Sequence, residues 1–276
     1  MMTPKSAYIF KELEASGSEG RRLSAQAKAF VELELPAFLS KIKPDALVGD
    51  FGCGTGVISS AMATFLPQGH VVGLDPDEKA LEMAAQEGKG RGNLSFERFG
   101  FGDPGLPKSG PFDAVFTRLV LLHLPDPAAA LRQMAAALKP GGLLYVVDCD
   151  DDYVNFEPKQ DWQEELILAM KQAQASRGGT RVLGSKLLGM LSQQGLWPEG
   201  QQVLYYSTEL LGMERWKEIF LPALGNMAER DLQALEAQGP EGAMRAQACR
   251  HGLQNFFNER GSKAQLSAWH AWARKA

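Results

Sequence analysis

The sequence predicts an α/β fold, a doubly wound and mainly parallel sheet with helices on both faces. Between residues 46 and 148, short apolar runs rich in β-branched residues alternate with segments of helical period. The first run ends in a glycine-rich turn, VGDFGCGTG (48–56). A chain of 276 residues that is 45% apolar can also cover a sheet on both sides.

In order along the chain, residues 21–42 place Leu23, Ala27, Phe30, Val31, Leu35, Phe38, Leu39 and Ile42 at helical spacing, with Pro36 predicting a kink or a break. Strands are expected at 46–51 (ALVGDF), 70–75 (HVVGLD), 93–98 (NLSFER), 112–117 (FDAVFT) and 142–148 (GLLYVVD), the last after the stop KPGG. Helices over about 56–65, 77–88 and 127–138 connect them. After residue 150 the pattern turns mostly helical: 162–175, 185–195 and 213–259, the last punctuated at Gly225 and at Gly239-Pro240, with a strand at 201–210. Large residues alternate in SAWHAWARK, which suits a last strand. The organisation expected is a helical cap (1–44), a core (45–210), a helical insertion for substrate recognition (211–262) and the core's final strand (263–276).

Composition narrows the function. Net charge is -4 and the 29 Lys and Arg residues are scattered, so nucleic acid is a disfavoured partner. Cys53, Cys149 and Cys249 lack CxxC spacing, which argues against a disulfide framework and against structural zinc; a reducing cytoplasmic setting is expected. The first twenty residues lack an apolar signal core, and no run approaches the roughly 18 apolar residues of a membrane span. No membrane partner is expected, and a homodimer is compatible with the chain.

A glycine-rich turn leaving a first parallel strand lets backbone amides approach a ligand. The dinucleotide fingerprint is incomplete, because Val57 stands where its third glycine or alanine belongs, and the phosphate-loop ending Gly-Lys-Ser/Thr is absent. Asp50 at the mouth of the loop repels pyrophosphate and welcomes a ligand with an ammonium and a sulfonium, such as S-adenosylmethionine. Asp75, at the end of the second strand, can accept from both hydroxyls of a ribose; the alternative is a cap for the helix beginning at Pro76-Asp77.

These residues, with VVGLDPDEKALEMA, PFDAVFTRLVLLHLPDP and LKPGGLLYVVD, resemble the catalytic core of the class I S-adenosylmethionine-dependent methyltransferases. The branch is that of the ubiquinone/menaquinone biosynthesis methyltransferase-like small-molecule enzymes. The resemblance implies a Rossmann-like seven-stranded sheet of order 3-2-1-4-5-7-6, mostly parallel with an antiparallel last strand, with N-terminal helices and a helical insertion before the last strand. It implies S-adenosyl-L-methionine as cofactor, with Gly52, Cys53 and Gly54 against its methionine part and Asp75 with Pro76 at its ribose. Thr117 and Arg118 fall under the sulfonium end. Gly100 stands where the family's adenine-binding Asp is usual, Asp103 comes three residues later, and Phe101 is placed against the adenine. Tyr8 is similar to the residue that covers the methionine end, and Arg21 or Arg22 to the partner of its carboxylate; an ordinary exposed helix turn is the competing reading.

Methyl transfer from a sulfonium is an in-line displacement, so alignment and exclusion of water matter most, with a base wherever the acceptor must lose a proton. His123, just after the fourth strand, is the candidate catalytic base, against the view that LLHLPDP is structural. Asp148, Asp150, Asp151 and Asp152 have the chemistry to pair with an amine, act as a base or hold a metal, but a solvated or capping role is expected and no metal is assigned. Tyr153, Phe156, Trp216 and Phe220, adapted by Met213 and Met227, are the candidate wall of an acceptor pocket. The function expected is methylation of oxygen, nitrogen or carbon on a small organic acceptor. Alternatives are methylation of protein or RNA, and a non-catalytic module that binds the same cofactor.

Overall fold

The computed structural model describes residue 27 and residues 29–276, with only the backbone of 222–228. Tyr8, Arg21 and Arg22 lie outside the described residues, and so does the side chain of Met227. Five strands, β1 (Leu47–Phe51), β2 (His70–Asp75), β3 (Leu94–Arg98), β4 (Phe112–Arg118) and β5 (Leu138–Cys149), pair in parallel in the order β3-β2-β1-β4-β5. A short β6 (Asn155–Glu157), β7 (Trp197–Ser207) and β8 (Lys263–Arg274) complete an eight-stranded sheet. β8 runs antiparallel to β5 on one side and to β7 on the other. Without the three-residue β6, which pairs with the start of β8, this is the expected 3-2-1-4-5-7-6 order.

Helices cover both faces. α1 (Leu35–Leu39), α2 (Val57–Phe65), α3 (Glu78–Glu87), α4 (Pro127–Ala136), α5 (Asp161–Ser176) and α6 (Leu187–Gln193) precede or interleave with the strands. After β7 come a helical turn (Thr208–Leu211), α7 (Met213–Glu236) and α8 (Pro240–Phe256), which lead into β8. Alternation along β5 divides the core: Leu143, Tyr145 and Val147 join Phe30, Phe38, Val48, Met62 and Phe116 on one face, whereas Leu144 and Val146 join Phe51, Leu74, Val115 and Leu131 on the other.

Helix boundaries follow local chemistry. Asp77 caps α3 by accepting from the amides of Lys79 at 2.9 Å and Ala80 at 3.1 Å, and Asp126 caps α4 by accepting from Ala129 at 2.8 Å. Pro36 sits in the first turn of α1, and the break falls at Glu34. Gly225 does not interrupt α7, whose packing outweighs a glycine's cost of about 1 kcal/mol; the break comes at Gly239, with φ of 114°. KPGG, expected as a stop, is the irregular first part of β5, where pairing with β4 shifts register.

Candidate active site

The loop between β1 and α2 sits at the C-terminal edge of the sheet, and its three positive-φ glycines serve different needs. A Cβ on Gly52 (φ 78°) would lie 2.3 Å from Val120 Cγ2, and one on Gly56 (φ 75°) would lie 2.7 Å from Ala84 Cβ. These two glycines allow close packing of the loop against the turn after β4 and against α3. Gly54 (φ 53°) differs, because a Cβ there would meet nothing within 4 Å. The amides of Gly52 and Cys53 donate to the Leu74 carbonyl at 2.7 and 3.1 Å, which pins the loop to the end of β2.

Two carboxylates flank the loop. Asp50 is buried and accepts from the Ser59 hydroxyl of α2 at 2.5 Å. Burial raises its carboxyl from 3.8 to about 7; the Ser59 hydrogen bond opposes the rise and the nearby Asp75 charge adds to it. Asp75 accepts from the Gly54 amide through Oδ2 and from the Asp77 amide through Oδ1, both at 2.9 Å. Burial raises its pKa, against those two amide bonds. With Asp77 capping α3, Asp75 is tied instead to the glycine loop, and each of its oxygens keeps lone-pair capacity for a further donor.

The turn after β3 closes the same edge. Asp103 bends back to accept from the Gly100 amide at 2.9 Å, and a Cβ on Gly100 would come within 3.2 Å of Pro76. Phe101 is half-buried and stacks on Phe51 at 5.9 Å, beside Phe99. Gly54, Asp75, Pro76, Gly100 and Phe101 thus line one end of the sheet. Cys53 is half-buried, and burial pushes its thiol well above the ordinary range, so it is a neutral lining group.

Thr117 and Arg118 do not act together. The Thr117 hydroxyl donates to the Phe51 carbonyl at 2.9 Å, which ties β4 to β1. Arg118 turns to the other face, lying 4.4 Å over the Phe30 ring and 3.3 Å from Glu34 Oε1. Its partners belong to a buried network that sequence reasoning missed. Glu34 also accepts from the Tyr206 hydroxyl, and its Oε2 is 3.1 Å from His270 Nε2 in an off-line contact, while His270 Nδ1 meets the Tyr145 hydroxyl at 2.9 Å. Burial alone would raise the Glu34 carboxyl; Arg118, His270 and Tyr206 outweigh it and hold the group below its ordinary value. The alternation of AWHAW, which turns His270 inward, was the one available signal.

His123 ends a 3-10 turn (Leu121–His123) that begins beside Val120, the residue packed on Gly52. Its Nδ1 lies 3.2 Å from Gln174 Nε2 of α5. The acidic run is not a solvated loop. Asp148 is fully buried and accepts from the amides of Cys149 at 2.9 Å and Leu122 at 3.2 Å, and burial, opposed by those bonds, raises it to about 7. Asp150 caps the following turn by accepting from Asp152 N and also accepts from the Ser185 hydroxyl at 2.6 Å; Asp151 takes Arg181 in a two-bond clasp, and Asp152 pairs with Lys171. Each of these four carboxylates is therefore engaged within the protein.

The expected aromatic wall needs correction. Phe156, Trp216 and Phe220 are core residues: Phe156 packs on Trp162 and Phe256, and Trp216 is fully buried against Phe220 and Phe257 while donating to the Tyr206 carbonyl at 2.9 Å. Their ring area is spent holding α5, α7 and α8 to the sheet. Tyr153 alone is exposed, edge-on to Trp269 at 4.8 Å just beyond β5.

A ligand placed over Gly54 would meet backbone amides and carboxylates, with a half-buried aromatic ring at one end, which suits a cationic amino-acid nucleoside and not a phosphate. Fold and site together define the Rossmann-like methyltransferases that draw on S-adenosylmethionine. The chain belongs to the methyltransferase domain family, whose model matches residues 42–210. It is 31% identical over 157 residues to an uncharacterized methyltransferase of Schizosaccharomyces pombe, covering 54% of this chain and 56% of that protein. It is 29% identical over 163 residues to the ubiquinone biosynthesis O-methyltransferase of Bordetella bronchiseptica, covering 57% and 65%. The chain thus spans less than two thirds of either relative. Among solved structures, coclaurine N-methyltransferase bound to N-methylheliamine and SAH has the same fold, with a TM-score of 0.57 at 15% identity over 90% of this chain and 72% of that one.

Proposed function

We propose that this protein transfers a methyl group from S-adenosylmethionine to a small organic acceptor at the C-terminal edge of β1, β4 and β5. The observation that carries the reading is Gly54, whose amide is held by Asp75 and whose missing side chain leaves open space at that edge. When bound, the donor supplies an electrophilic methyl carbon for in-line attack. The Gly52–Gly54 backbone and Asp50 would hold its amino-acid end, Asp75 and Pro76 its ribose, and Gly100 with Phe101 its adenine. Thr117 braces the β1–β4 junction beneath, and His123 and Tyr153 stand at the end of β4 and beyond β5, where an acceptor would enter.

Support for a small acceptor over nucleic acid comes from three of the described arginines. Arg118, Arg177 and Arg181 are each paired with a carboxylate, Glu34, Asp231 and Asp151 respectively, so their charges are already matched inside the protein. The name of the Bordetella relative favours an oxygen as the atom methylated. Incubation with methyl-labelled S-adenosylmethionine and separate metabolite, protein and RNA fractions tests the reading. Label in a small molecule is expected; label in protein or RNA overturns the acceptor class, and donor binding without transfer to any fraction points to a binding module.

A further inference from the structure

The C-terminal end of α5 lies against the turn that carries His123, and buried Gln174 joins them. Gln174 Oε1 accepts from Arg177 Nη2 at 3.2 Å, and Gln174 Nε2 donates to the Leu122 carbonyl at 2.8 Å. A guanidinium only donates and a carbonyl oxygen only accepts, so the two ends of this amide cannot be exchanged. Arg177 is fixed in turn by Asp231 of α7, buried and 2.9 Å away. The second hydrogen on Gln174 Nε2 then faces His123 Nδ1 at 3.2 Å, and Nδ1 must accept it.

We propose that Gln174 is a positioning residue that fixes His123 in the Nε2–H tautomer, so that the imidazole meets the methyl acceptor as a hydrogen-bond donor and not as a proton-abstracting base. The inference rests on the placement of His123 beside the acceptor. Nε2 already carries its proton, and protonating Nδ1 requires the amide of Gln174 to turn away, at the expense of the Leu122 carbonyl or of Arg177. The acceptor class follows. It presents a hydrogen-bond-accepting oxygen near the reacting atom, and its nucleophile ionises without help from the histidine, as an acidic hydroxyl or an activated carbon acid does. A protonated amine, which needs a base, fits poorly. The chain Asp231–Arg177–Gln174 also makes the tautomer depend on where α7 sits.

Long-range 1H–15N correlation spectra of the full chain labelled in histidine, with His123 identified through His123→Asn, test this. In the wild type His123 is expected to show an unprotonated Nδ1 and a protonated Nε2. In Gln174→Glu the carboxylate, which only accepts, draws a proton onto Nδ1; in Gln174→Met the loss of the donor moves the Nδ1 signal away from its wild-type position. A wild-type Nδ1–H overturns the proposal by itself. So does a folded Gln174→Met whose His123 signals match the wild type, which decides the matter if Gln174→Glu does not fold. No acceptor enters this measurement, so failure of labelled methyl transfer overturns the proposed function separately and leaves the tautomer result standing.

Discussion

Gly52, Gly54 and Gly56 occupy alternate positions of one loop, yet substitution should separate them. Alanine at Gly52 or Gly56 adds a methyl group against Val120 or Ala84 in a left-handed backbone, and each change should cost roughly 2–4 kcal/mol of stability by denaturant titration. Gly54→Ala meets no neighbour, so its stability loss should stay near the backbone cost of about 1 kcal/mol, while donor affinity falls. Equal stability losses at all three positions would remove the assignment of Gly54 to the ligand. Asp75→Ala should weaken S-adenosylmethionine binding about tenfold or more by calorimetry, through loss of a charged acceptor and of the Gly54 tether; unchanged affinity would sink its role. That two carboxylates flank the loop was legible in the sequence, because each stands at or next to the end of a strand marked by its apolar run. The division among the glycines was not, because it depends on Val120 and Ala84, which only folding brings near. Gln174 was invisible for the same reason, with His123 51 residues away.

Among the elements, the junction of the segment before α1 with β4, β7 and β8 depends on one buried acid, Glu34. Glu34→Gln leaves Arg118 buried without its countercharge and should destabilise by about 3–5 kcal/mol, whereas Tyr206→Phe removes one donor and should cost about 1 kcal/mol. Comparable losses for the two variants in chemical unfolding would show that the charge does not dominate this junction. Periodicity disclosed the elements well, since a half-buried helix or strand writes its face into its own sequence. It did not disclose which aromatics serve them. Trp216 and Phe220 are equally apolar whether they line a cleft or clamp α7 to β7, and their burial, with the Tyr206 carbonyl beside Trp216, decides for the clamp. β6, three residues long, has too little sequence to carry a period.

For the molecule as a whole, burial of Asp50 and Asp148 has a thermodynamic signature. Both carboxyls are raised from 3.8 to about 7, so over that interval the native state holds protons that the unfolded chain has released, and stability falls as pH rises. Carboxyls held low, among them Glu34 and Asp113, act in the opposite sense, but only as pH falls below their ordinary values of 4.5 and 3.8. The thermal midpoint should therefore decline from about pH 5 to about pH 8, with a shallower slope in Asp50→Asn; a midpoint that climbs over this range would contradict the burial of both groups. The sheet order, too, was legible, although only through the family resemblance, because no local signal says that β8 lies between β5 and β7. That insertion sets the order of synthesis against the order of assembly. β5 and β7 are made well before the strand that joins them, and while residues 263–274 are still in the ribosome both present unpaired edges. A nascent chain of this protein can close its sheet only after residues 263–274 have left the ribosome, and the interval before closure is when it depends most on chaperones.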